Sequence, residues 1–193
     1  TARSRGLGDV YKRQAYDSTR TASGSDLSFT NIVSGETLGL TGSGVLDSPA
    51  AGSRTIVNTN TLAISDGSGI ATNYTLTNGT LTMTIVPRST TVSGTKTYDG
   101  TTNVASSNLT SFSNLAGSDT LSLSGTGTIS SADVGTGKTV NTSGLTIDNS
   151  SGVGSNYTLS AATVNVTERV IGLSGVRAFD GTNNVSSADL ICL

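Results

Sequence analysis

A short turn motif returns at a fixed interval along this chain. Tyr16-Asp17 recurs as Tyr98-Asp99-Gly100 and again as Phe179-Asp180-Gly181, at spacings of 82 and 81 residues. Other landmarks keep the interval: Phe29 to Leu40 matches Phe112 to Leu123, Leu62-x-Ile64 matches Leu145-x-Ile147, and Asn73-Tyr74-Thr75-Leu76 matches Asn156-Tyr157-Thr158-Leu159. A period of about 80 residues is far too long for one coil of a solenoid and fits a small independent domain. The chain therefore divides into module 1 at residues 15–88, a complete module 2 at 89–169, and the truncated opening of a third at 170–193. Residues 1–14 stand outside the repeat, holding four of the eleven Arg and Lys. Their GDVYKRQ resembles a translated sequencing-adapter scar, and with that segment set aside module 1 lacks its opening strand. The chain begins on Thr, which reads as a fragment.

Within each unit the apolar period is two, the mark of half-buried strands. Leu38 and Leu40, Leu62 and Ile64, Leu121 and Leu123, and Leu145 and Ile147 alternate with small polar residues. Ser, Thr, Asn and Gly make up 101 of the 193 residues. In such quantity they argue against a helical bundle, and the alternation argues against a disordered tail. The expected class is all-β: tandem antiparallel β-sandwich modules of immunoglobulin-like type. The alternative is a β-grasp-like module, because Ala105, Leu109, Phe112 and Ala116 fall near helical spacing; their serine-rich surroundings disfavour that helix. Asn78-Gly79 predicts a type I′ hairpin pairing Leu76 with Leu81 and Tyr74 with Met83. The second copy would pair Leu159 with Val164 and Tyr157 with Val166 around Ala161-Ala162.

Eleven basic against thirteen acidic residues supply no cationic stripe for phosphates, so neither nucleic acid nor an anionic membrane is an expected partner. No apolar run approaches membrane-spanning length. With no histidine and only Cys192, histidine-activated nucleophiles, intrachain disulfides and His- or Cys-ligated metals are excluded. Gly135-Thr-Gly-Lys138-Thr139 has the end of a phosphate-loop motif but Ala132 where a glycine is needed and no helix pattern after it. Ser93-Gly-Thr-Lys96 has the spacing of a serine acyltransferase pair, yet in a strand context that separates the two side chains. The Asp-rich turns at Asp66, Asp99, Asp148 and Asp180 fit no calcium-loop pattern; structural Ca²⁺ is the one cofactor they leave open, and capping of the turn's own backbone is their ordinary role.

In order across residues 95–160, TKTYDGTTNVAS, SADVGTGKTV, SGLTI and NYTLS resemble the YDG module, which is similar to the MBG modules found in tandem in large bacterial surface and secreted adhesins, filamentous-haemagglutinin-like proteins among them. Module 1 departs in having Ser18 where glycine is expected. The resemblance implies an extracellular stalk or spacer with no catalytic residues, its partners the neighbouring modules of one parent chain. An alternative is a module that itself recognises a host protein or glycan through loops or a strand edge. The residues of interest are then the repeat motif, Tyr16, Asp17, Tyr98, Asp99, Gly100, Phe179, Asp180 and Gly181, with Tyr74 and Tyr157. Phe179 in place of a tyrosine points to a ring packed in its own module's core, so that truncating Tyr98 would unfold module 2.

Overall fold

The computed structural model describes residues 13–77 and 81–192. Among them the protein is all-β, its only helical elements being three-residue 3₁₀ turns. Module 1 contributes β1 (Arg13–Ala15), β2 (Thr21–Ser23), β3 (Leu38–Thr41), β4 (Ser43–Leu46), β5 (Gly52–Asn58), β6 (Ala63–Asp66) and β7 (Thr82–Val86). Their sheet order is β1-β7-β5-β4-β2, with β3 paired to β6 apart. Module 2 contributes β8 (Arg88–Thr97), β9 (Asn103–Ala105), β10 (Leu109–Ser113), β11 (Leu121–Thr128), β12 (Gly135–Val140), β13 (Leu145–Asn149) and β14 (Tyr157–Thr167), in one sheet ordered β10-β8-β14-β12 and another ordered β13-β11-β9. The opening of the third unit forms the short antiparallel pair β15 (Leu173–Ser174) and β16 (Ile191–Cys192).

The period-two stretches become strands as their spacing requires: β3 pairs with β6 in module 1, and β11 pairs with β13 in the equivalent antiparallel ladder of module 2. Alternate residues of β8 turn inward, burying Thr90, Val92 and Lys96. With Val104, Leu109, Ile129, Val140, Ala162, Val164 and Val166, Val92 forms one buried core drawn from both sheets of module 2. The stretch Ala105–Ala116 is strand, a 3₁₀ turn at Ser106–Asn108, and strand again, so the helix on which the β-grasp alternative depends is absent there.

Three expectations are corrected. The second hairpin does not form: β14 is one continuous strand from Tyr157 to Thr167, parallel to β8 along its length, with a bulge between Leu159 and Ala161. Ala161-Ala162 lacks the glycine or asparagine a tight turn demands, and running straight buries Ala162, Val164 and Val166 on one face. In module 1 the equivalent arm β7 pairs with β1 and β5, not with residues 74–77; the Asn78-Gly79 turn itself lies outside the described residues. Finally, module 1 does have an opening strand. Arg13 and Gln14, from the segment set aside as foreign, pair with Thr84 and Ile85 in the same parallel sense in which β8 meets β14. The sheet accepts them because backbone pairing needs no particular side chain, though β1 has only three residues where β8 has ten.

Candidate interaction site at the module junction

The repeat motif closes in the same way three times. Asp17, Asp99 and Asp180 each accept hydrogen bonds from the backbone N–H and the hydroxyl of a threonine two residues on, at 2.8 to 3.0 Å. This is the local turn an Asp-x-Thr sequence favours. The next position needs a left-handed backbone, supplied by Gly100 and Gly181 at φ 78° and 80°; Ser18 takes it at φ 65°. Three residues before the aspartate a long polar side chain fastens the turn. Buried Lys96 donates to the carbonyls of Thr101 and Asn103 and pairs with Asp99 at 2.8 Å. Gln14 donates to Asp17 at 2.8 Å, and Arg177 pairs with Asp180 at 3.2 Å. The Lys96 hydrogen bond, and then the Thr101 N–H, hold the Asp99 carboxyl down to about 2.

The aromatic residue has a different task. Tyr16 is buried, but against module 2: its ring meets that of Tyr157 edge to face, with centroids 5.4 Å apart. Such pairs contribute about 0.5 to 1.5 kcal/mol beyond the area they bury. Both hydroxyls donate to one carboxylate oxygen of Asp119, from Tyr16 at 3.0 Å and from Tyr157 at 2.7 Å. Tyr157 also accepts from the backbone N–H of Ala116 at 3.0 Å. Burial first, and the neighbouring carboxylate besides, raise the Tyr16 phenol; burial pushes that of Tyr157 up to about 12. The core of module 1, with Leu46, Ile56, Met83 and Ile85, runs without a break through Tyr16 into Ala116 and Tyr157.

Polar contacts frame this apolar centre. Buried Asn156 accepts from the Ala51 N–H at 2.9 Å. Arg88, just past Pro87, reaches the Asn114 carbonyl and side chain at 2.8 Å and the Tyr16 carbonyl at 3.2 Å, while the Asn114 amide returns a bond to Ser89. Both neighbouring strands start or end here: Tyr16 comes directly after β1, and Tyr157 begins β14.

At the far end of module 2 the same motif residue is open. The Tyr98 N–H bonds the Thr167 carbonyl as that of Tyr16 bonds Val86, yet Tyr98 is 39% exposed, and Phe179 is 94% exposed. The expectation of a ring packed in its own module's core is corrected: strand pairing carries the aromatic to the module's end, where its packing depends on the adjoining module. Tyr74 sits on the opposite end of module 1, its hydroxyl 2.5 Å from Glu36.

Sequence comparison within the chain missed Asp119 and the contacts that Asn156 and Arg88 make, because spacing gives no hint that an acid and an amide in one unit serve the tyrosine of another. Lys138 stands in register with Arg54: they lie opposite Val164 and Met83. Each fastens the loop before its strand, Arg54 through the Ala50 and Ala51 carbonyls, Lys138 through those of Ser131 and Asp133. That tie, and the strand Gly135–Val140, give the phosphate-loop-like residues a structural role. Ser93 faces solvent while Lys96 is buried. Asp66 caps the Ala71 N–H at 2.7 Å. Among the described residues no cluster of three or more His, Cys, Asp or Glu could hold a metal ion, and no helix is long and apolar enough to cross a membrane.

Residues 80–165 match the YDG domain. The match spans β7 through nearly all of β14, and so takes in Tyr98, Asp99, Gly100, Asp119 and Tyr157. No curated protein and no solved structure matches the chain.

Proposed function

We propose that this chain is part of the stalk of a bacterial cell-surface or secreted adhesin, in which tandem small β-sandwich modules, the YDG domain among them, act as non-catalytic spacers holding a more specialised domain away from the cell. The observation that carries this reading is the junction at Tyr16, Asp119 and Tyr157, where residues of the repeat itself join one module to the next through a continuous core. A spacer needs such a joint once per repeat and needs little else on its surface. The partners are neighbouring modules of the same parent chain, and the location is extracellular. The long strands support an extended shape: β8 and β14, with ten and eleven residues, each span about 35 Å, and β7 leads into β8 through Pro87 alone.

Small-angle scattering tests this. One compact domain of this length has a radius of gyration of about 16 Å; modules set end to end should exceed roughly 20 Å, and a value near the compact one would sink the reading. Arrays of glycans and matrix proteins test the alternative, that the modules themselves recognise a host ligand: saturable binding of the chain to one of them, lost on substitution of exposed residues away from the junction, would favour it.

A further inference from the structure

The first and last strands of module 2 lie side by side and run the same way. β8 pairs with β14 in parallel at ten positions, from Arg88 opposite Tyr157 to Thr97 opposite Thr167. The chain enters β8 at Arg88, from β7 through Pro87, and leaves β14 at Thr167. In a parallel pair these two points lie at opposite ends of the ladder, whereas in an antiparallel pair they would lie together. Tension along the chain therefore slides β8 past β14 and loads every rung at once. The ladder is also sheltered: β10 pairs with the other edge of β8, and β12 with that of β14. Val92, Ala162, Val164 and Val166 bury one face of it. At the bulge the Ser160 hydroxyl donates to the Thr90 carbonyl at 2.9 Å, and past the last rung the Tyr98 N–H donates to the Thr167 carbonyl at 2.8 Å. Buried Lys96, held by the Thr101 and Asn103 carbonyls, ties the end of β8 to the start of β9.

We propose that module 2 bears tension, with β8 and β14 acting as a shear clamp that keeps the module folded when the chain is pulled lengthwise. A peeled ladder gives up its rungs one after another, each over a small barrier. A sheared ladder must lose many rungs in a single event, so the barrier to unfolding rises with no change in the stability of the fold. Lifetime under load follows that barrier and not the equilibrium. The same parallel sense recurs between β1 and β7, so the arrangement belongs to the repeat. Its use rests on the stalk reading, since a spacer between a cell and whatever its far domain holds is the element that carries the pull. The two readings fail separately: scattering tests the extended shape, and the direction of pulling tests the clamp.

The experiment is single-molecule pulling at constant load on the full chain, with Cys192→Ser leaving only introduced thiols as handles. Ser89→Cys with Glu168→Cys loads the ladder in shear. Thr97→Cys with Glu168→Cys peels it from its far end, and Ser89→Cys with Thr158→Cys, partners in the ladder, peels it from its near end. All four positions are exposed, so the three chains should share one chemical denaturation midpoint and differ only in the direction of pull. Module 2 should survive at least about tenfold longer in shear than in either peeling geometry, a difference of about 1.4 kcal/mol in the barrier. Should one peeling pair fail to fold, the other supplies the contrast. Lifetimes equal in shear and in peeling, or shorter in shear, would overturn the proposal.

Discussion

Tyr16 and Tyr98 are the same residue of the same repeat, each ending a strand that runs parallel to the last strand of its module. One is buried on Tyr157 and Asp119, and the other is 39% exposed. Tyr157 and Tyr74 form a second pair of this kind, buried in one module and half-buried in the other. In each pair the buried member is the one that meets a residue of the other module. Where two units share part of one core, as at Tyr16, Ala116 and Tyr157, the stability of each depends on its neighbour.

The largest test of that contrast is Tyr157→Ala against Tyr74→Ala. Truncating a buried aromatic costs about 3 to 5 kcal/mol, and Tyr157→Ala also leaves the Ala116 N–H and Asp119 short of a partner. Tyr74→Ala, at a half-covered site, should cost about 1 kcal/mol or less. Chemical denaturation of the two chains decides it, and equal losses would mean the junction adds nothing.

Next, Tyr16→Ala should lose about 3 kcal/mol while Tyr98→Ala loses less than about 1 kcal/mol. If instead Tyr98→Ala unfolds module 2 in a thermal melt, the aromatic is an anchor of its own module and the comparison breaks.

The phenols give a graded effect. Both junction tyrosines have pKa values raised by burial, Tyr157 to about 12. A raised folded-state value means the neutral form is the one the fold holds, so the stabilisation is complete below the unfolded value near 10 and is lost as pH rises through about 12. Between those limits the junction should loosen, read as ionisation by ultraviolet absorbance together with a rising radius of gyration. Tyr157→Phe, which has nothing to ionise, should shrink the response, and an undiminished response would place its origin elsewhere.

The smallest test sharpens the turn rather than the junction. Ser18 holds the left-handed conformation that Gly100 and Gly181 occupy in the other copies, at a strain of about 1 to 2 kcal/mol for a residue with a Cβ. Glycine loses more freedom on folding, so Ser18→Gly should stabilise module 1 by about 0.5 kcal/mol net. A melt unchanged or lowered would show that the Ser18 hydroxyl, beside Gly117 of the next module, contributes more than its backbone costs.

The residue spacings alone determined much of this protein. The alternation at Leu38, Leu40, Leu121 and Leu123 and the Asp-x-Thr turns, returning at an interval of 81 to 83, translate directly into equivalent ladders and caps, because each depends on contacts within a few residues or on a period of two. The bulged run of β14 through Ala161-Ala162 was beyond that reach, since two small residues suit an extended strand as well as a poor turn and the choice is made by the face on which Ala162 is buried with Val92 and Val140. So was the short parallel strand at Arg13–Ala15, which is held by backbone bonds that leave no mark in side-chain pattern. The site itself was half legible. Tyr16, Tyr98 and Tyr157 are visible as repeated letters, but a repeat looks the same whether its aromatic packs on its own unit or on the next. Only the tertiary structure decided that question, because burial of a ring at a module's end is a property of two surfaces meeting, and the sequence of one surface does not contain the other.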